Sequence, residues 1–203
     1  MADVESESLG RRFSKLFLNY FEKNKKNISL QSETDLSNEI FRICRLVAAN
    51  LGLPHIIENK NLIDRCYYPS EKDSLKPIIA LKHENRFQGI WKEEIPNLIA
   101  IDSELKVLIT YPPKTKHVYY GIFNNTFRKL EHTLSTSYEK DKKVDEFLLI
   151  LGLRKINEVQ PSDFFTYNYM LGINGTMLHR PKQNWDLLSQ YGLRKSDFRE
   201  LPP

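Results

Sequence analysis

The chain has 203 residues, 40% hydrophobic and 11% aromatic, enough for one well-packed domain or two small ones. Its net charge of +4 excludes a histone-like polycation but leaves room for a localised surface that binds polyanions. Cys44 and Cys66 are too few and too far apart for a zinc framework, and no run approaches the ~20 apolar residues of a membrane-spanning helix.

Asp3, Glu5 and Glu7 stand where a secretory signal would carry a basic region and an apolar core. A cytoplasmic or nuclear protein with reduced cysteines and no membrane contact is therefore expected. Next, Leu9, Phe13, Leu16, Phe17, Tyr20 and Phe21 recur at helical spacing and predict an amphipathic helix over 8–25. An aromatic stripe left in water is an aggregation liability, so it is expected to dock on the protein's own core. The alternative is a partner protein seated on the Phe13, Phe17 and Phe21 face.

Thr34 and Asp35 are good capping residues for a second helix, on which Leu36, Ile40, Ile43, Leu46, Val47 and Leu51 share a face. Leu51-Gly52-Leu53-Pro54 then reads as a left-handed glycine stop closed by proline. Cys44 falls in the helical pattern beside Ile43 and Leu46 as a small core residue. Cys66 follows Arg65, a cation able to lower a thiol pKa, but no partner base accompanies it. Residues 55–76 show no clear period and read as a long connection with one helical turn.

From 77 to 123 the character changes to short β-rich runs at 78–81, 87–91, 98–102, 106–111 and 117–123. They predict an antiparallel sheet, with a tight turn at 103–105 and a longer one at 112–116. Helical signals resume at Asn125 and Thr126, with Phe127, Leu130 and Leu134 on one face. The run 147–153 has the length of a buried strand, but its spacing also fits a helix ending at Gly152, which is the expectation. Ser162 after Pro161 and then Asn184 cap two further predicted helices, through Leu171 and Tyr191. The expected fold is thus α+β in a single domain over 1–203: a helical part at 8–53, an antiparallel sheet at 77–123 and a helical part at 125–203.

Asp102, Glu104 and Lys106 are the candidate catalytic residues. Alternate residues of a strand share a face, so the three side chains would project together. Asp102 and Glu104 would then hold Mg²⁺, while Lys106 orients or helps deprotonate an attacking water. Glu104-Leu105-Lys106 resembles the Glu-x-Lys half of the motif of the carboxylate-lysine nuclease superfamily, which includes many restriction enzymes. The resemblance covers a few residues. It implies Mg²⁺-dependent cleavage of nucleic acid, with Glu39 in the place of the helix-borne glutamate of some members. The chain departs from the pattern upstream: the superfamily's aspartate, often after proline, is replaced by Pro96-Asn97, so Glu93 or Glu94 would have to substitute. If Ser103 and Glu104 instead form a turn, the three residues become a charged hairpin tip.

Between 105 and 132, five cations (Lys106, Lys114, Lys116, Arg128 and Lys129) meet Glu131 alone, a surplus equal to the net charge of the whole chain. Tyr111, Tyr119, Tyr120, Phe123 and Phe127 lie among them, supplying flat rings for unstacked bases beside cations for phosphates. Lys114, Lys116, Tyr119, Arg128 and Lys129 are therefore the candidate nucleic-acid-binding residues. No phosphate-loop, nucleophile-elbow or dinucleotide signature occurs, so no cofactor is expected unless the Mg²⁺ reading holds. The expectation is a non-catalytic protein that binds DNA or RNA, or a subunit of a nucleic-acid-processing assembly. A Mg²⁺-dependent nuclease and a protein-interaction subunit without nucleic-acid contact are the alternatives.

Overall fold

Helix α1 (Leu9–Asn24) starts at Ser8, whose hydroxyl accepts a hydrogen bond from Arg11 N. Helix α2 (Glu33–Asn50) starts with a capping box: Ser32 accepts from Asp35 N, and the Asp35 carboxylate accepts from Ser32 N. It ends as the sequence suggests. Gly52 sits at φ +80°, Leu53 N reaches back to Ala48 O at 2.9 Å, and Gly52 N to Ala49 O at 3.1 Å. These helices belong to a computed structural model that describes residues 7–25, 32–60, 62–73, 75–85, 87, 90–111, 129–130, 132–134, 145–154, 161–171 and 177–179.

The strands form one mixed sheet in chain order: β1 (His55–Lys60), β2 (Ile63–Tyr68), β3 (Ile79–Glu84), β4 (Leu105–Thr110), β5 (Asp145–Arg154) and β6 (Pro161–Leu171). A three-residue β7 (Met177–His179) pairs with the outer side of β6. β1, β2 and β3 are antiparallel neighbours, β3, β4 and β5 run parallel, and β6 returns antiparallel to β5. Two crossovers are therefore needed. The first, between β3 and β4, carries a π-helical turn (Ile90–Glu94) and helix α3 (Ile95–Ala100). The second, between β4 and β5, carries helical residues 129–130 and 132–134.

Both faces of the sheet are covered. Phe13, Phe17 and Phe21 of α1 and Leu36, Ile40, Ile43 and Val47 of α2 pack on Tyr67, Ile79, Leu81, Val107, Ile109, Leu148 and Phe164. On the opposite face Ile90, Ile95, Leu98, Leu130 and Leu134 from the crossovers meet Ala80, Leu108, Phe147, Leu149, Leu151 and Tyr169. The aromatic face of α1 thus lies inside the protein's own core, with Phe13 and Phe17 fully buried.

Several sequence expectations are corrected. The sheet is mixed, not antiparallel, and it extends well beyond 77–123. Residues 55–60 and 63–68 form a hairpin where a connection was expected. The β run expected at 98–102 is the end of α3 and the loop after it: Pro96, which lacks an amide proton, is tolerated in the first turn of a helix, and a short apolar run carries no period of its own. Residues 147–153 are strand, not helix. β5 lies between β4 and β6 with both faces covered, so its sequence is continuously apolar, and Gly152 is no helix stop. A Cβ there would collide with the Tyr111 ring, and the glycine makes the space that ring occupies. The expected helix from Ser162 to Leu171 is β6. The strand expected at 117–123, Phe127 of the helical face expected after Asn125, and the helix from Asn184 lie outside the described residues.

Helix α1 is tied to the sheet by one carboxylate. Glu146, on β5, accepts hydrogen bonds from Leu9 N (3.0 Å) and Gly10 N (2.9 Å), the first free amides of α1. Asn168 on β6 donates to the same carboxylate at 2.7 Å. Gly10 is required for this approach, because a Cβ would run into Asn168 and into Glu146 Oε2 at 2.6 Å.

Candidate functional site

The expected catalytic set is not laid out on a strand. Residues 101–104 form the loop between α3 and β4, so only Lys106 belongs to a strand. Asp102 is exposed and pairs with Lys76 Nζ at 2.8 Å, and Glu104 is exposed as well. Lys106 is buried, its ammonium donating to Ser103 O at 3.0 Å. The shared face expected of three alternating residues is not formed. Among the described residues no three His, Cys, Asp or Glu side chains are grouped to hold a metal ion. Glu39, the expected helix-borne acid, is held by Arg42 through contacts of 2.7 and 2.6 Å.

Of the expected nucleic-acid-binding residues, Lys114, Lys116, Tyr119 and Arg128 lie outside the described residues. Lys129 is exposed, with its ammonium 4.9 Å from the centre of the Trp91 ring. Trp91 belongs to the π-helical turn of the first crossover and packs on the crossover side of the sheet.

A carboxylate-lysine cluster does exist, at Asp64 and Lys82, which no sequence motif singles out, and at Glu94, named above only as a stand-in for the missing upstream acid. Lys82 projects from β3 on the crossover face, and its ammonium lies 3.0 Å from Glu94 Oε2 and 3.4 Å from Asp64 Oδ1. It also donates to Leu62 O at 3.0 Å. The second oxygen of Asp64 accepts from His83 N at 2.8 Å, which fixes the carboxylate against the backbone of β3. Burial pulls the Lys82 pKa down, but the Glu94 contact and the charges of Asp64 and Glu94 outweigh it and leave the ammonium above its ordinary value. Burial raises the Glu94 carboxyl more than Lys82 lowers it, with Glu84 and Asp64 adding repulsion. The signal that could have found this cluster is the pair of charged residues, Lys82 and Glu84, at alternating positions of a strand that begins with the apolar run Ile79-Ala80-Leu81.

The helix face of the sheet carries two further polar features. His83 Nε2 and Tyr111 Oη lie 2.9 Å apart in the core, with the Phe41 ring edge-on to the imidazole. Beside them a cavity of about 410 Å³ opens between α2 and the β1–β2 hairpin. Arg42 and Arg45 stand exposed at its rim and Tyr67, fully buried, lies against it. Both cysteines are free and buried, and burial raises the Cys44 thiol, which leaves it protonated and unreactive. Among the described residues no helix is long and apolar enough to cross a membrane. No protein family, curated protein or solved structure gives a match to this chain.

Proposed function

We propose that the protein binds nucleic acid, as a non-catalytic component of a nucleic-acid-processing assembly, through the basic segment between β4 and β5. The observation that carries this reading is topological. Lys114, Lys116, Tyr119, Arg128 and Lys129 all belong to the connection that leaves the carboxyl end of β4, the middle of three parallel strands. Binding residues are disproportionately carried on loops held by a rigid scaffold, and this connection is anchored at both ends by central strands of the sheet. Lys129 over Trp91 supports the reading by pairing a phosphate-binding cation with a flat ring at the surface.

Fluorescence anisotropy with short single-stranded and duplex DNA and RNA tests it. Affinity is expected to fall linearly with salt on logarithmic axes, because each phosphate contact releases counterions. Reversing Lys114, Lys116, Arg128 and Lys129 to glutamate should flatten that slope. Binding that is indifferent to salt, or unchanged by the reversals, removes the proposal.

A second reading, Mg²⁺-dependent phosphodiester cleavage, is favoured by one specific observation: Asp64 and Glu94 flank Lys82 on the same face as Trp91 and Lys129. In this reading the cluster takes over the roles assigned from sequence to Asp102, Glu104 and Lys106. Asp64 and Glu94 would be the residues to hold Mg²⁺, which characteristically takes one or two carboxylates and fills its shell with phosphate and water oxygens. Lys82, now between the two acids, is the residue that orients the attacking water. Metal-dependent cleavage that survives Glu94→Gln and Lys82→Ala, or no cleavage across a panel of DNA and RNA substrates, rules this reading out.

A further inference from the structure

We propose that the cleft between α2 and the β1–β2 hairpin binds a nucleotide unit, its phosphate on the arginines of the rim and its base in the interior against Tyr67. This site lies on the helix face of the sheet, opposite the crossover face that carries Lys129, and does not depend on the reading above.

The cavity, about 410 Å³, falls within the roughly 300–1,000 Å³ of small-molecule sites. Its lining contains three arginines, Arg42, Arg45 and Arg65, against one acid, Glu58. Two of the three are already engaged. Arg42 is held by Glu39, and Arg65 lies 3.2 Å from Glu58 and donates to Asp64 O at 2.8 Å. Arg45 makes no hydrogen bond or ion pair with a described residue. Its guanidinium is therefore an open planar fork beside two fixed cations, an arrangement suited to a phosphate.

The interior supplies what a bare anion site would not need. Tyr67 is fully buried at the wall of the cavity, and its hydroxyl has no hydrogen-bond partner. Leaving such a group unpaired costs about 1–3 kcal/mol, and a polar ligand atom in the cleft would relieve that cost. The Arg65 guanidinium lies 4.2 Å from the centre of the Phe41 ring, so a flat cation is already fixed at the wall of the cleft. A guanidinium plane held in this way is a stacking surface for a nucleobase. Phosphate, planar heterocycle and a hydrogen-bonding ring atom occur together in a nucleotide, either free or as a unit of a single strand.

Calorimetric titration of the full chain tests the proposal, using a nucleoside 5′-monophosphate, the matching nucleoside, inorganic phosphate and a short single-stranded oligonucleotide. The monophosphate is expected to bind at least tenfold more tightly than either the nucleoside or phosphate. Arg45→Glu, at an exposed position, should reduce monophosphate affinity at least tenfold while leaving the melting temperature within a degree or two of the parent. Tyr67→Phe removes only the unpartnered hydroxyl; it should weaken the monophosphate several-fold, leave inorganic phosphate unchanged and not lower the melting temperature. An oligonucleotide that competes with the monophosphate and shares its sensitivity to Arg45→Glu identifies the ligand as a unit of a strand. Monophosphate binding without such competition identifies a free nucleotide. The proposal is overturned if inorganic phosphate binds as tightly as the monophosphate, if Arg45→Glu or Tyr67→Phe leaves monophosphate affinity unchanged, or if no monophosphate binding is detected at millimolar concentration.

Discussion

The two faces of the sheet handle buried polarity differently. On the helix face the polar groups position other parts of the fold: Glu146 accepts the first amides of α1, and His83 meets Tyr111 among aromatic rings. On the crossover face Asp64, Lys82 and Glu94 form an ion-pair cluster, whose remaining contacts go to the backbone at His83 N and Leu62 O. Buried ion pairs of this kind are weak contributors to stability, since desolvation offsets much of their attraction. The comparison separates polar groups that seat a helix on the sheet from an ion-pair cluster whose net contribution to stability is expected to be small.

The sharpest way to break this comparison is to remove one large side chain from the helix face. Phe17 is fully buried, with its ring 5.1 Å edge-on from Phe164. Phe17→Ala should cost about 3–5 kcal/mol in chemical denaturation. A loss below about 1 kcal/mol would mean that α1 is not part of the core, contrary to the burial described above.

Lys82→Met comes next, with an expected loss of about 3 kcal/mol at neutral pH from two carboxylates stripped of their cation. The loss should depend on pH. A carboxyl raised in the folded state, as Glu94 is, favours folding below its ordinary value of 4.5, and that contribution disappears as pH rises through the raised value. Without Lys82 the Glu94 carboxyl moves further up, so the variant should approach the parent as pH falls through that range. The Lys82 contribution in the parent is itself fully present below 10.5 and lost as pH rises beyond it through the raised folded value. Denaturation curves at several pH values decide the matter, and a difference that stays constant from mildly acidic to neutral pH counts against the cluster.

Glu146→Ala removes the acceptor for two helix amides and should cost about 2 kcal/mol. Hydrogen exchange is the discriminating measurement, since protection should fall at Leu9 and Gly10 before it falls in β5. The smallest effect is expected at Leu62, which is 70% exposed and held at φ +65° in the β1–β2 turn. Leu62→Asn should stabilise by about 0.5 kcal/mol, because asparagine tolerates the left-handed region that leucine does not. A drop in melting temperature would show that the Leu62 side chain has a role its exposure does not suggest.

What could be read from the sequence divides along the same line. Helices α1 and α2 and the Gly52 stop were legible because each depends on residues within a few positions of one another. Even there the cap lay at Ser32, with Asp35 as its reciprocal partner, two residues before the expected start. β5 and β6 were not legible. A strand covered on both faces loses its alternation, and Gly152 looks the same in a helix stop as in a strand that must clear the Tyr111 ring. The hairpin at 55–68 was hidden for a different reason: it mixes Ile and Tyr with Asn, Glu and Lys, and its β character appears only when His55 is paired with Tyr68. Asp64, Lys82 and Glu94 come together through sheet order and a crossover, neither of which is encoded in local spacing. The motif-like Glu104-Leu105-Lys106 had the right letters, but its acid precedes the strand and its lysine turns into the core.

The Glu146 contact with α1 also has a consequence for synthesis. The amide of Gly10 and the carboxylate that receives it are separated by 136 residues. At roughly 5–20 residues per second, the ribosome needs on the order of ten seconds to make that interval. Throughout that time the helix bearing Phe13, Phe17 and Phe21 has been made, while the central strands it packs against are still being added. The nascent chain therefore carries an aromatic helix face whose partners on the central strands are not yet made. Ribosome-bound chains stopped before residue 146 should bind a hydrophobic dye or a holdase chaperone, and chains extended past β6 should release it.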